Sequence, residues 1–237
     1  MKGLFGKELC NTGRQFEFDF AKAVCILGMV FVHCFEELTA PETEATASYY
    51  IMTIVLDAIF GAATFMGSMG LGIAYSMQDR EDFGQALMKR GIYIFIAAYV
   101  LNLFRFALPS LAFSGRLPDY SAKVFLVELL VNDIMQFAGL ALFLFGLLKK
   151  LKLSDKAVLL VAVAMSAVGS FVRLIPVYES LPATISGLFI GVYDQVYFES
   201  CGVFPLLNWF IIVIEGYFYG KLLRHCKDTH KFYKILI

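Results

Sequence analysis

Charged residues are scarce in this sequence. They make up 17% of its 237 residues, against 59% hydrophobic, whereas a soluble domain is nearer one quarter charged and one half apolar. A chain with that deficit, and with its apolar residues in long blocks, belongs in a membrane. An excess of either charge is also missing: Lys and Arg number 20, Asp and Glu 20. That balance removes the case for a nucleic-acid partner. Histidine is rare, and His33, His225 and His230 stand apart in the chain, so no metal site is expected. The five cysteines (Cys10, Cys25, Cys34, Cys201, Cys226) include no CxxC and no zinc-like spacing with histidine, which points to free thiols. Cys34 and Cys201 both fall on the expected outer side and could pair there. Internal repeats of the kind common in secondary transporters are lacking. Low-complexity stretches and a second domain are lacking too. No signal peptide is evident: the first apolar run is long for an h-region and has no small-x-small cleavage site near its end.

What is present is a set of six apolar runs of the roughly 17–25 residues that a membrane helix needs. They are Phe18–Leu38, Tyr50–Met77, Met88–Leu108, Val124–Leu148, Ala157–Pro176 and Val203–Leu223. The expected fold is all-α: a single polytopic bundle over residues 18–223, with an N-terminal segment 1–17 and a basic tail 224–237. Ala183–Val192 is apolar but too short to span, so it reads as a re-entrant or surface piece. The tail HKFYKILI reads as a surface-lying stretch or the start of a further helix. Of the twenty Lys and Arg residues, all but Arg105, Arg116, Lys123 and Arg173 fall in the N-terminus, the second and fourth connections and the C-terminus. The positive-inside rule then makes both termini cytoplasmic. The opposite face is acidic (Glu36, Glu37, Glu42, Glu44, Asp119, Glu179, Asp194, Glu199), which suits solvated loops or the attraction of an amino-bearing substrate. Gly61, Gly67, Gly70 and Gly72 lie within an apolar run. There they serve close helix packing, not a phosphate loop, which would need a strand before it and a helix after it.

Polar groups inside spans are costly and tend to face the bundle interior. On the first helix, Lys22 and His33 are eleven residues apart, about 1100° of rotation, so they share a face to within about 20° with a rise of about 16 Å. Glu36 and Glu37 follow at i+3 and i+4, positions from which a carboxylate can orient an imidazole for general-base work. The fourth run carries Glu128, Asn132, Asp133 and Gln136, with Glu128, Asn132 and Gln136 at i, i+4, i+8 on one helix face. Arg105, Asn102, Asp57, Arg173, Asn208 and Glu215 come from the other spans, mostly in the outer half. Interhelical hydrogen bonds and ion pairs alone would account for some of this set.

Arg14 followed by FDFAKAVCILGMVFVH resembles the first helix of the transmembrane acyltransferases, whose signature is an aspartate, a basic residue three on, and a histidine after ten more. Here these are Asp19, Lys22 and His33. The stretches FMGSMGLGIAYSM, KRGIYIFIAAYVLNLFRF, NDIMQFAGLALFLFGLL and FPLLNWFIIVIEGYFYGKLL are similar to successive blocks of one branch, the heparan-alpha-glucosaminide N-acetyltransferase-like catalytic domain common in bacteria. The resemblance implies a multi-pass protein of a bacterial cytoplasmic membrane that takes an acyl group, often acetyl, from cytoplasmic acetyl-CoA. An outer-side glycan or another hydroxyl or amino acceptor would receive it, in a monomer or homo-oligomer. Carried over, Arg14, Asp19 and Lys22 form the CoA-binding end, and His33, with Glu36 and Glu37, the base or acyl carrier. From their depth in the membrane and not from the resemblance, Asn132, Gln136 or Asn208 are expected as oxyanion donors, in a polar pocket with Glu128, Asp133 and Arg105. Two departures stand out: the family's usual arginine–glycine is Lys22–Ala23 here, and many members have ten or eleven helices against the six expected. Two other classes fit the same residues: a small-solute or proton-coupled transporter using Glu215, Asp133 and Glu128, and a non-catalytic membrane protein of the same shape.

Overall fold

The computed structural model describes residues 4–76, 81–114, 122–172, 185–190, 192–193, 200–201 and 204–236. The described chain is built from helices: α1 (Phe16–Leu38), a short α2 (Pro41–Glu44), α3 (Ala47–Phe60), α4 (Ala62–Ser76), α5 (Phe83–Asn102), α6 (Leu108–Ala112), α7 (Ala122–Leu129), α8 (Ile134–Lys150), α9 (Asp155–Val172), α10 (Leu206–Arg224) and α11 (Thr229–Leu236). A two-residue antiparallel ladder, β1 (Val192–Tyr193) with β2 (Ser200–Cys201), precedes α10. Among the described residues, four stretches are long and apolar enough to cross a membrane: Phe16–Glu36, Phe83–Ala112, Asp155–Val172 and Leu206–Arg224. Their outward surfaces are apolar, with Phe20, Leu27, Phe31, Tyr93, Phe104, Leu160 and Phe171 all exposed. The chain is an integral multi-pass membrane protein.

Two of the six expected spans differ from the reading of the sequence. The run Tyr50–Met77 is two helices, α3 and α4, separated by a bend at Gly61, where a residue without Cβ and with low helix propensity weakens the helix. The run Val124–Leu148 is also two, α7 and α8, with Leu130–Asp133 between them. Glu128, Asn132 and Gln136 therefore do not share one continuous helix face. The cause is local. Asp133 is the N-cap of α8: its Oδ1 accepts the Ile134 N–H at 2.6 Å, and the Asp133 N–H donates to Gln136 Oε1 at 3.2 Å, completing a capping box.

Residues 79–211 and residues 1–78 with 212–237 form two compact units. In the first of these, α5 and α8 pair antiparallel through two glycines on each helix. A Cβ on Gly91 would stand 2.6 Å from the Gly139 carbonyl oxygen, and one on Gly84 2.7 Å from that of Gly146. The helices touch backbone to backbone, as small residues allow in membranes. Beyond Asn102 the helix widens into a π turn, Leu103–Ala107, in which the Leu108 N–H reaches the Leu103 carbonyl. Pro109 has no N–H for the Arg105 carbonyl and its ring would crowd that carbonyl, and the wider turn lies just ahead of it. At the start of α10, the Leu206 and Leu207 N–H groups donate to the carbonyls of Leu188 and Phe189. Of the short apolar piece, residues 185–190 thus cap the start of α10, and residues 183, 184 and 191 lie outside the described residues.

In the other unit, α4 packs on the later part of α10 through a second glycine seam. A Cβ on Gly70 would lie 1.9 Å from the Val213 carbonyl, and one on Gly216 2.0 Å from that of Gly67. Of the glycines in FGAATFMGSMGLG, Gly67 and Gly70 thus serve packing, while Gly61 marks the bend. The N-terminal segment is strapped to the end of α10: Phe5 bridges Cys226, the Gly6 N–H donates to the His225 carbonyl, and the Cys10 and Asn11 N–H groups donate to the Arg224 carbonyl. Leu4, Leu223, Cys226 and Phe232 form a small core with Phe5, Phe18, Tyr75, Tyr219 and Tyr233 around it. The tail is therefore a helix folded onto its own protein. Cys10, Cys25, Cys34 and Cys226 are free thiols. The Cys201 side chain lies outside the described residues.

Two outcomes follow from this packing. Gly91→Ala lowers stability by about 1–3 kcal/mol, the usual cost of overpacking. Gly67→Ala, where an added Cβ meets nothing within 4 Å, does not; thermal unfolding in one detergent compares them. Tyr233 is pushed up to about 12 from 10.0 by burial, then by Tyr219, Glu17 and Cys226. The fold thus favours the neutral phenol, and that contribution is whole below pH 10 and fades as pH rises toward 12. Tyrosinate absorbance of the wild type minus that of Tyr233→Phe should titrate near the upper value. Because the Tyr233 hydroxyl is buried without a partner among the described residues, the phenylalanine variant should melt no lower than the parent.

Candidate functional site

On α1 the polar positions lie along an otherwise apolar helix. Arg14 Nε meets Asp19 Oδ2 at 2.6 Å, with both side chains well exposed. An exposed pair of this kind is worth little, so the guanidinium can be given over to an incoming anion at small cost. Lys22 is half-buried, and its Nζ stands 3.6 Å from where a Cβ on Gly72 would be. The ammonium therefore lies against α4, and the glycine leaves it room. Farther along, Gly28 meets the Phe60 ring and Val32 is buried, which ties α1 to α3.

His33 lies at the flank of that packed stripe. Its side chain is 68% exposed, and its Nδ1 is 3.7 Å from Glu36 Oε2. That is ion-pair range for an imidazolium and too long for a hydrogen bond to a neutral ring. Glu36 can therefore stabilise the ring once it has taken up a proton. Glu37 falls in the same helix, and its side chain lies outside the described residues, as do that of Asp57 and the whole of Arg173.

The second polar group lies at the α7–α8 break. Asn102 and Asn132 are 3% and 8% exposed, and Gln136 1%. Asn102 Nδ2 donates to the carbonyls of Leu129 and Val131 at 3.1 and 2.7 Å. It thereby satisfies carbonyls that the end of α7 leaves open. The Tyr99 hydroxyl donates to Asn132 Oδ1 at 3.3 Å. Arg105 Nη1 approaches Asp133 Oδ2 at 3.6 Å. The break thus gathers Arg105, Asn132, Asp133 and Gln136 of the expected pocket. Glu128 is half-buried on α7. Tyr99 was not among the expected site residues. It stands three residues before Asn102, one turn away on the same face of α5, which is the signal the sequence held.

Asn208 is placed elsewhere in this unit, against α9: a Cβ on Gly169 would stand 2.6 Å from Asn208 Oδ1. That oxygen is buried without a partner among the described residues. Glu215 is exposed. No group of three or more metal-ligating side chains occurs among the described residues.

No curated protein and no solved structure matches the chain. A family model described as heparan-alpha-glucosaminide N-acetyltransferase, catalytic, matches residues 14–235. That interval runs from the arginine ahead of α1 into α11, nearly the whole chain, and the protein belongs to this family of membrane acetyltransferases.

Proposed function

We propose that the protein transfers an acetyl group from acetyl-CoA to a hydroxyl or amino group of a glycan-like acceptor, with His33 as the base. The observation that carries this is the make-up of α1. A protein-facing cation at Lys22 and an accessible imidazole at His33 lie on one helical face, with a rise between them of about 16 Å. About five extended residues cover that distance at roughly 3.3 Å each, and a pantetheine arm is of that order. Lys22 and Arg14 would hold the CoA phosphates. As a point charge, lysine neutralises a phosphate without the bidentate fork of the arginine usual in this family.

With Nδ1 turned to Glu36, Nε2 is the nitrogen left to take the acceptor's proton as its oxygen or nitrogen attacks the thioester carbonyl. The carbon–sulfur bond then breaks, and the imidazolium returns its proton to the departing sulfur. The products are the acetylated acceptor and CoA with a free thiol. Glu36 contributes most at the imidazolium stage, since its attraction acts on the charged ring. The asymmetric distribution of Lys and Arg supports acetyl-CoA entering from the cytoplasm, with the acceptor on the opposite side.

Transport of a small solute is the second reading, and the α7–α8 break favours it. Discontinuous helices near polar side chains are common at transporter binding sites. Solute counterflow in proteoliposomes without any CoA requirement would establish that reading in place of the enzyme.

For the acetyltransferase, the assay is release of CoA thiol together with acetyl incorporation into acceptor. His33→Ala should lower kcat on the order of 10²-fold or more. Lys22→Ala should raise KM for acetyl-CoA about tenfold, as expected for a lost charge-assisted contact, and Lys22→Arg should restore it. Full turnover in both alanine variants would end the proposal.

A further inference from the structure

Basic side chains collect at one end of the unit formed by residues 79–211. There α5 begins, α8 ends and α9 begins: a Cβ on Gly84 would stand 2.7 Å from the Lys150 nitrogen, and a short turn joins Lys150 to Asp155. Lys89, Arg90, Lys150, Lys152 and Lys156 are all exposed. None of the five makes an ion pair among the described residues. Lys149 differs, since it pairs with Asp155 and lies over the Phe145 ring. The acidic groups at this end are Asp155 and, at the start of α5, Glu81 and Asp82. Among the described residues, cations therefore outnumber carboxylates here by six to three.

Two of the lysines stand where helix energetics disfavour them. The end of α8 is a Schellman turn: the Leu153 N–H donates to the Leu148 carbonyl at 3.1 Å, and the Lys152 N–H to the Lys149 carbonyl at 2.9 Å. This turn puts Lys152 at φ 59°, a conformation usually left to glycine because a Cβ crowds the backbone there. Lys156 lies in the first turn of α9, where a positive charge opposes the helix dipole. The positive-inside rule calls for basic residues on this side, but not at those two positions.

The place is a membrane rim. Leu159 and Leu160 are exposed one turn past Lys156, about 5 Å on, and Ile92 and Tyr93 are exposed just past Arg90. Both helices are long and apolar enough to span, so the apolar side chains face lipid and the cations reach the headgroup layer. Leu151, 62% exposed between Lys150 and Lys152, offers an apolar contact that a lipid can use and a soluble anion cannot. On the cytoplasmic side, where the charge distribution puts this end, the leaflet carries anionic lipid.

We infer that the α8–α9 turn, through Lys150, Lys152 and Lys156, binds the phosphate of an anionic phospholipid headgroup, and that Lys89 and Arg90 on α5 extend the same surface. Such binding is independent of acetyl transfer. The test is thermal unfolding of the full-length protein in a neutral detergent with phosphatidylglycerol, phosphatidylcholine or inorganic phosphate added. Phosphatidylglycerol raises the midpoint and the other two do not. The variant Lys150→Gln/Lys152→Gly/Lys156→Gln unfolds no lower than wild type without lipid, because glycine suits the backbone at 152 and a neutral side chain suits the first turn of α9. Its response to phosphatidylglycerol falls to about half or less. An unchanged response in that variant overturns the site. So does an equal rise with phosphatidylcholine or with inorganic phosphate, or an equal loss of response in Lys231→Gln/Lys234→Gln. Should the triple variant fail to fold, phosphatidylglycerol with a diazirine on its headgroup is photolysed on the wild type. Label in the peptide holding residues 149–156 upholds the site, and label elsewhere or none overturns it.

Discussion

A backbone N–H or carbonyl in an apolar surrounding must find its partner within the protein, since lipid offers none. Much of the structure follows from that requirement. Where α7 stops short of α8, the loose carbonyls of Leu129 and Val131 are taken by Asn102 from α5, and the Asp133 and Ile134 N–H groups by Gln136 and Asp133. Where α10 begins, carbonyls from the returning segment at Leu188 and Phe189 take its first amides. Where α10 ends, the Arg224 carbonyl receives the N–H groups of Cys10 and Asn11, and the Arg224 guanidinium donates to the Ala74 carbonyl. Each of these three irregularities is closed by side chains or backbone that belong to the fold.

That accounting separates two kinds of polar residue. Asn102 and Asp133 are occupied with the backbone and hold the break open. Gln136 is only half occupied, because a capping box uses the oxygen of its amide and leaves the nitrogen. A residue with one structural bond and one unused donor is suited to both positioning and recognition. The opposite charges nearest to it, Arg105 and Asp133, stand 3.6 Å apart, and on the N-terminal side of α1 Arg14 is likewise paired, with Asp19.

Glycine governs how near the helices come. Without Cβ atoms at Gly84, Gly91, Gly139 and Gly146, α5 could not lie close enough to α8 for the short Asn102 side chain to reach carbonyls at the end of α7. The sequence shows these glycines, but their spacing of seven on each helix acquires meaning only when the helices face each other. By contrast, the glycine cluster from Gly61 to Gly72 is dense enough to be read directly as a packing surface, and Gly67 and Gly70 lie in the seam with α10.

Membrane residence and the helical class were legible in the chain alone, because apolarity and helical period are local properties. Membership of the acetyltransferase family was legible as well, through the order of several weak blocks. The two helix breaks were not read, although Gly61 and the Asp133-x-x-Gln136 pattern announce them, because an unbroken apolar run outweighs a cap when hydropathy is the guide. Only the tertiary structure could decide that Asn102 closes α7, that the tail folds onto Leu4 and Leu223, and that one nitrogen of Gln136 is left over. Whether a polar group is used up depends on which distant carbonyl the fold delivers to it, and no local pattern carries that information.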